Sequence, residues 1–188
     1  MIRMIKADDY FACWWWYNWY IAHTNVTFET APLGFSDFKE RIETIRTRYP
    51  WIVLQEDDDL RGYAYLEPFN ERAAYDWTCG LSIYVAPDMN HHGYGKQLMT
   101  AILDLAKQDG YKTVISIITE GNKASENIHE SFGFEKIGRF AESGYKNGKW
   151  LGVSYYGKRL TDTTEAMEEP LNLDPYAVTK PGRVPITE

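Results

Sequence analysis

Apolar and polar residues recur along this chain in patterns that predict a mixture of helices and strands. The clearest helix covers residues 93–108, where Leu98, Ile102 and Leu105 fall on one face. Residues 114–118 form a nearly continuous apolar run, which is typical of a strand in the centre of a sheet. The other predicted elements are strands at 2–6, 51–55, 60–66, 75–86, 134–143 and 149–158, and helices at 8–23, 36–49 and 122–131.

Local signals set several of these boundaries. Asp8 or Asp9 is expected to cap the first helix and Ser36 the second, which Pro50 ends. The pair Asn147-Gly148 favours a tight turn between the last two strands. The element order predicts a mixed α/β domain over residues 1–160, with one parallel connection through the 93–108 helix.

Charge distinguishes the end of the chain from the rest. Charge also argues against nucleic-acid binding, and hydropathy argues against a membrane span. The 188 residues carry 20 basic and 27 acidic side chains, for a net charge of −7. Residues 161–188 hold six of the acids and two of the bases, so we interpret them as an acidic, proline-containing C-terminal extension. The negative total disfavours a nucleic-acid binder, and no stretch approaches the roughly 20 apolar residues that span a bilayer.

The cysteines and histidines lack the spacing of a metal site, so no metal is expected. Two cysteines, Cys13 and Cys79, are too few for a disulfide framework and predict buried thiols in a reducing cytoplasm. Aromatic residues make up 15% of the chain, which fits a large core, a self-association surface or a ligand pocket. Composition alone does not choose among these three.

Residues 81–96 carry the strongest chemical signal. A strand ends at Pro87, a polar loop follows, and Gly93 and Gly95 open a helix. Such a junction directs free backbone N–H groups and the positive end of a helix dipole at one place, which suits a pyrophosphate. The dinucleotide fingerprint and the nucleoside-triphosphate P-loop are both absent, because no third glycine and no Gly-Lys-Ser/Thr follow.

This junction resembles the signature [RQ]-x-x-G-x-[GA] of the GCN5-related N-acetyltransferase (GNAT) superfamily. The rest of the chain is most similar to the phosphinothricin acetyltransferase group of amino-acid N-acetyltransferases. The matching segments are Tyr17-Asn18, Thr27-Phe28-Glu29, Gly62-Tyr63-Ala64, Tyr84-Val85, Asn122-Lys123-Ala124-Ser125, His129-Glu130-Ser131-Phe132-Gly133-Phe134 and Gly148-Lys149-Trp150. The resemblance covers about residues 1–160.

The resemblance implies a fold, a co-substrate and a set of binding residues. The fold is a single GNAT-like domain with about seven strands in a mixed, mostly antiparallel sheet, a splayed central parallel pair and about four helices. The co-substrate is acetyl-coenzyme A, with transfer to the amine of a small molecule such as an amino acid. The residues implied to hold the coenzyme are Ile83, Tyr84, Val85, His91, His92, Gly93, Tyr94, Gly95, Lys96, Asn122 and Ser125, with an N–H near Val85 facing the developing oxyanion.

The acceptor side departs from the family pattern. Gly80 stands where the group usually has a glutamate base, Asp76 where relatives often have arginine, and Asn90 where the superfamily has arginine or glutamine. Glu29 is then the candidate for base or amine-binding duty, and His129 the candidate group near the coenzyme sulfur. Phe28, Tyr75 and Asp76 are assigned to the acceptor substrate, and Asp76 would favour a cationic acceptor.

Two alternatives to a small-molecule acetyltransferase stay open from the sequence. The acceptor could instead be a protein N-terminus or lysine, or the protein could be a weakened acyl-coenzyme A sensor, which Gly80 favours. The run from Trp14 to Tyr20 places rings on every side of its helix. Some of these rings are therefore expected to line the acceptor pocket or to bury against a second subunit of a homodimer.

Overall fold

The computed structural model describes residues 1–89, 92–165 and 170 of the protein. The strands are β1 (Ile2–Met4), β2 (Trp51–Glu56), β3 (Asp59–Pro68), β4 (Thr78–Val85), β5 (Thr113–Thr119), β6 (Glu135–Lys146) and β7 (Lys149–Arg159). The helices are α1 (Tyr10–His23), α2 (Phe35–Arg46), α3 (Tyr94–Gln108) and α4 (Lys123–Ser131), with short 3-10 turns at Ala7–Asp9 and Ala73–Tyr75.

All seven strands lie in one sheet, in the order β1-β2-β3-β4-β5-β7-β6. Every neighbouring pair is antiparallel except β4 and β5, which are joined through α3 and run parallel. These two strands pair only from Thr78–Thr113 to Gly80–Ile115, and beyond Gly80 they separate. The structure thus confirms the predicted fold, including the splayed parallel pair.

The two faces of the sheet have different cores. On one face α3 packs Leu98, Met99 and Ile102 against the central strands, which is the apolar stripe that the sequence predicts. On the other face α1 and α2 cover an aromatic layer, in which the Trp51 ring stacks on Tyr65 with 4.0 Å between centroids. Much of the aromatic excess is therefore core.

Several predicted boundaries are wrong by a few residues. The strand predicted at 75–86 begins at Thr78, because Tyr75 belongs to a 3-10 turn. The second helix begins at Phe35, so Ser36 lies inside its first turn and Gly34 takes the N-cap position. Asp9 does not cap α1 with its side chain, because its carboxylate accepts from Lys6 N and from Arg3 at 2.7 Å each.

The structure confirms the predicted hairpin turn and describes only a small part of the C-terminal extension. Asn147 and Gly148 have φ angles of 51° and 76°, as the predicted tight turn requires. Lys112 Nζ donates to Thr163 O at 2.6 Å, and Pro170 is buried. The other residues of the predicted 161–188 extension, apart from 161–165 and 170, lie outside the described part of the chain.

The described residues lack two features that would bear on function. Among the described residues, no helix combines the length and the apolar character that crossing a membrane requires. Within the same part of the chain, no three His, Cys, Asp or Glu side chains are grouped as metal ligands.

Candidate active site

The separation of β4 from β5 leaves one backbone edge of β4 without a neighbouring strand. Ala86 N donates to Arg61 O at 2.8 Å, which fixes the alternation of hydrogen bonds between β4 and β3. In an antiparallel pair, every second residue directs its N–H and C=O groups away from the partner strand. Leu81, Ile83 and Val85 therefore direct their backbone groups into the gap on the β5 side.

A cavity of about 640 Å³ occupies this gap, within the usual size range of ligand pockets. Its walls come from the ends of β4 and β5 and from the first turns of α3 and α4. The cavity brings together ten of the residues singled out from the sequence: Ile83, Tyr84, Val85, Gly93, Tyr94, Gly95, Lys96, Asn122, Ser125 and His129. These residues are spread over 47 positions of the chain, from 83 to 129.

The N-terminus of α3 opens into the cavity. Gly93 adopts a φ of +81°, and its carbonyl accepts from Lys96 N at 3.1 Å and Gln97 N at 3.2 Å. The N–H groups of Tyr94 and Gly95 are left without a partner inside the helix. Together with the helix dipole they form a site for an anion, and the exposed Lys96 adds a cation at its edge.

Gly95 keeps the space between α3 and α4 open. A Cβ atom at this position would lie 3.2 Å from Ile128 Cδ1 and 3.8 Å from Val85 Cγ2. Any larger side chain would therefore press on α4 and enter the cavity. The glycine is required here for close approach and not for a left-handed backbone.

Asn122 and Ser125 form the start of α4 at the opposite wall. Asn122 Oδ1 accepts from Ser125 N at 3.3 Å, which caps the helix. The cap fixes the Asn122 side chain at the rim of the cavity.

His129 lies on the next turn of α4, buried behind Ser125 and facing β5. Its Nδ1 is 2.7 Å from Ser125 O, so this nitrogen carries the proton and donates. Its Nε2 then accepts from the Ser116 hydroxyl at 2.9 Å. Burial lowers the pKa of His129, against a smaller opposing effect of the Ser125 carbonyl, and this favours the neutral ring.

Among the lining residues that the sequence did not single out, two donate side-chain hydrogen bonds to residues that it did. Tyr20 of α1 donates its hydroxyl to Val85 O at 2.8 Å, and Ser116 of β5 is the partner of His129. Tyr20 is part of the aromatic run of α1, where the sequence predicts that some rings reach the pocket. Nothing in the sequence pattern marks Ser116, because its partner is 13 residues away on another element.

Glu29 and Phe28 lie outside this cavity, on the loop between α1 and α2. The Glu29 carboxylate pairs with Arg41 at 2.8 Å, and Arg41 also donates to the Tyr17 hydroxyl at 3.2 Å. The Phe28 ring packs on Gly144 of β6, and Lys146 Nζ donates to Thr27 O at 2.8 Å. The loop thus carries a small cluster of charges toward the β6–β7 hairpin.

The structure separates Asp76 and His92 from the cavity wall. Asp76 lies before the start of β4 and pairs with Arg48 at 3.2 Å, so its charge is balanced within the fold. The neighbouring Tyr75 is 40% exposed and packs on the ring of Phe69, 5.7 Å away. His92 is exposed and stacks on Tyr94, while His91 and Asn90 lie outside the described residues.

Glu67 is a further carboxylate that the sequence reasoning missed. It pairs with Gly80 across β3 and β4, and a Cβ atom on Gly80 would lie 2.9 Å from Glu67 Cγ. Glu67 lines a second cavity of about 120 Å³, which shares the lining residues Leu81, Ser82 and Ile117 with the larger one. The two cavities therefore adjoin at the point where β4 and β5 separate.

Known proteins are similar to this chain over most of its length. The family model described as "Acetyltransferase (GNAT) domain" matches residues 2–152. A phosphinothricin N-acetyltransferase of Streptomyces viridochromogenes is 33% identical over 155 residues, which cover 82% of this chain and 85% of the relative. An L-methionine sulfoximine/L-methionine sulfone acetyltransferase of Pseudomonas aeruginosa is 28% identical and covers 80% of this chain and 88% of its own.

A solved structure agrees with the architecture. The crystal structure of a GNAT superfamily phosphinothricin acetyltransferase from Sinorhizobium meliloti, in complex with acetyl-coenzyme A, has a TM-score of 0.85 to this chain. It is 28% identical and covers 90% of this chain and 93% of its own.

Proposed function

This chain belongs to the GNAT acetyltransferases, and we propose that it transfers the acetyl group of acetyl-coenzyme A to the primary amine of an amino acid or a related small amine. One observation carries the proposal: an unpaired backbone edge of β4 leads directly to the N-terminus of α3. Such a slot fits a ligand with amide groups at one end and a pyrophosphate at the other. Similarity to relatives named for amino-acid-like amines supports the acceptor class.

The co-substrate would be held chiefly by backbone. The pantetheine amides would pair with Ile83 and Val85, beside Tyr84, and the pyrophosphate would take the N–H groups of Tyr94 and Gly95. Gly93, Lys96 and the loop that includes His91 and His92 would surround the phosphates. Asn122 and Ser125 would contact the pantetheine arm from the α4 side.

The reacting end would lie where β4 leaves β5. Val85 is the end of β4 nearest α3, so an arm that begins at the phosphates runs from there toward Leu81. An N–H of Leu81 or Ile83 is therefore a better placed donor to the developing oxyanion than that of Val85, which the sequence favoured.

His129 is proposed to move a proton at the coenzyme sulfur through Ser116. Because the ring is neutral and its Nε2 accepts from the Ser116 hydroxyl, it would first take up by that route the second proton that the attacking nitrogen loses. It would then return the proton to the departing thiolate, for which the protonated ring is a suitable donor.

Charged groups on the loop side would select the acceptor. Arg41 and the buried Lys146 supply cations for an acceptor carboxylate, and Glu29 would attract its ammonium group. Phe28 and Tyr75 would form apolar parts of the same wall. The role of Asp76 stays a prediction, and its ion pair with Arg48 weakens the case for a cationic acceptor.

We propose that the protein forms a homodimer. Apolar side chains on the β6–β7 hairpin are unusually exposed: Ile137 (60%), Phe140 (59%), Tyr145 (57%) and Trp150 (61%). Large exposed apolar surface of this kind is favoured at subunit interfaces. Light scattering of the Trp150→Ser protein tests the proposal, and an unchanged dimer or a monomeric wild type would contradict it.

A reducing compartment, the cytoplasm, is proposed on the state of the thiols. Cys13 and Cys79 are both free, and each is fully buried. Burial raises the pKa of both thiols, which keeps them protonated and unreactive.

The deciding experiment measures thiol release from acetyl-coenzyme A against a panel of amines with systematically varied charge and carboxylate content. Release that depends on an amino-acid acceptor supports the proposal. Tight coenzyme binding without release for any amine would favour the sensor alternative, and release only with peptides would favour a protein acetyltransferase.

A further inference from the structure

We infer that Glu67 is the general base of this enzyme, supplied by β3 across from the position where the family pattern has its glutamate on β4. The inference rests on the acetyl transfer proposed above and names a residue for its first step. Three independent features of the structure carry it: the space at Gly80, the continuity of two cavities, and the surroundings of the carboxylate.

The first feature is the pairing of a glutamate on β3 with a glycine on β4. Glu67 and Gly80 are directly opposite in the register of β3 and β4. The Glu67 Cγ lies 2.9 Å from where a Cβ of Gly80 would be, so the Glu67 side chain lies over Gly80 in the room that a side chain there would need. Opposite positions in an antiparallel pair have their Cβ atoms about 5 Å apart, so a carboxylate from either strand reaches the same region.

The second feature is access to the reacting atoms. The 120 Å³ cavity beside Glu67 shares Leu81, Ser82 and Ile117 with the 640 Å³ cavity that fits the coenzyme. A thioester near Leu81 would therefore face this smaller cavity, and an amine that enters the cavity would lie between the thioester and the carboxylate. Glu29 and Asp76 line neither cavity.

The third feature is the chemical environment of the carboxylate. Glu67 is partly buried and accepts a hydrogen bond of 3.3 Å from the Ser82 hydroxyl. Burial raises the pKa of Glu67, while Ser82 and the charge of Arg41 oppose the shift. A carboxylate of raised pKa is a stronger proton acceptor than an exposed one.

The proposed step balances as follows. The acceptor ammonium gives one proton to the Glu67 carboxylate, and the neutral amine attacks the thioester carbonyl. The C–N bond forms, the C–S bond breaks, and the coenzyme leaves as a thiolate. The nitrogen loses its second proton, which neutralises the thiolate, and Glu67 returns its own proton to solvent.

The experiment compares wild type, Glu67→Gln and Glu40→Gln, a matched change at an exposed glutamate on α2. We expect kcat/KM of Glu67→Gln to fall by about 10²-fold or more, with acetyl-coenzyme A binding measured by calorimetry unchanged. Activity of Glu67→Gln should also rise about tenfold per pH unit up to the pKa of the amine, because only free amine reacts. Wild type and Glu40→Gln should level off once Glu67 is ionised.

A relocation variant separates a catalytic role from a structural one. Glu67→Ala combined with Gly80→Glu removes the clash at Gly80 Cβ and moves the carboxylate to β4. We expect this double variant to recover at least tenfold over Glu67→Ala alone. If wild type is active and Glu67→Gln is also active with the same pH profile, the inference is overturned. A wild type that acetylates no amine would instead refute the proposed function.

Discussion

The part of the candidate site proposed for the coenzyme is made mostly of backbone, whereas the part proposed for the acceptor is made of side chains. The proposed coenzyme slot consists of backbone groups of β4 that pair with no strand and of the first N–H groups of α3. The proposed acceptor side would depend on the charges of Glu67, Arg41 and Lys146, which come from three different elements. A site made of backbone is expected to tolerate changes of side chain, because the main chain supplies the same groups whatever the side chain.

The difference also explains how the two sides can change independently. Replacing a side chain on the acceptor side removes a charge outright, so selectivity and base can be altered there without disturbing the coenzyme slot. Gly80 and Glu67 illustrate this, since the carboxylate lies on the neighbouring strand while the β4 backbone keeps its pairing with β3. Variants in the coenzyme slot should therefore change the Kd for acetyl-coenzyme A. Variants on the acceptor side should change only the kinetics with the acceptor.

The largest expected effect on the coenzyme side comes from Gly95→Leu. The new side chain would collide with Ile128 and enter the slot, so we expect the Kd for acetyl-coenzyme A to rise by about 10²-fold. Calorimetry measures this, with Gly138→Ala as control because nothing lies within 4 Å of a Cβ there. Binding within threefold of wild type, in a variant of unchanged Tm, would show that the coenzyme does not use this slot.

His129→Gln should affect turnover and not coenzyme binding. Loss of the neutral imidazole behind Ser116 is expected to lower kcat by about 10²-fold, because the proton no longer has its relay. The Kd for acetyl-coenzyme A should stay within threefold, and the exposed His23→Gln serves as the matched control. An undiminished kcat would leave His129 with a purely structural role.

Arg41→Gln should act only on acceptor recognition. We expect KM for an amino acid to rise about tenfold, the loss of one partly exposed charge contact, while KM for its decarboxylated amine stays the same. Steady-state kinetics with both acceptors makes the comparison, and the exposed Lys39→Gln is the control. An equal rise for both acceptors would mean that Arg41 supports the loop through Glu29 and does not read the carboxylate.

Lys96→Ala should have the smallest effect, because Lys96 is exposed and the phosphates rely on backbone groups. We expect a rise of about threefold in the Kd for acetyl-coenzyme A at low salt that disappears at high salt. A loss as large as that of Gly95→Leu would contradict the division into a backbone side and a side-chain side.

The sequence predicted well which residues meet at the start of α3, because the signals there are local. The glycines at 93 and 95, the strand before them and the helix after them are contiguous, and the structure places them at one wall of the cavity. The hairpin turn at Asn147-Gly148 followed in the same way from two residues. Where local signals were weaker, as at Ser36 and Tyr75, the predicted boundaries were wrong by a few positions.

Side-chain contacts between elements were predicted less completely, because the residues that make them are distant in sequence. Ser116 and His129 meet only when α4 packs on β5, and Lys146 reaches Thr27 across 119 positions. Glu67 escaped notice because a glutamate at the end of a strand is ordinary until its partner is known to be glycine. The aromatic run of α1 was likewise ambiguous, and tertiary packing decided that Tyr20 lines the cavity and Trp15 stays half exposed.

The sequence by itself therefore determined the order of the elements, the parallel crossover and the glycine-containing start of α3. These depend on hydrophobic periodicity and on the backbone freedom of a few glycines, which neighbouring residues specify. Only the tertiary structure decided where the strands separate and which carboxylate faces the gap. Strand register sets both, because it pairs residues such as Glu67 and Gly80 that no local pattern connects.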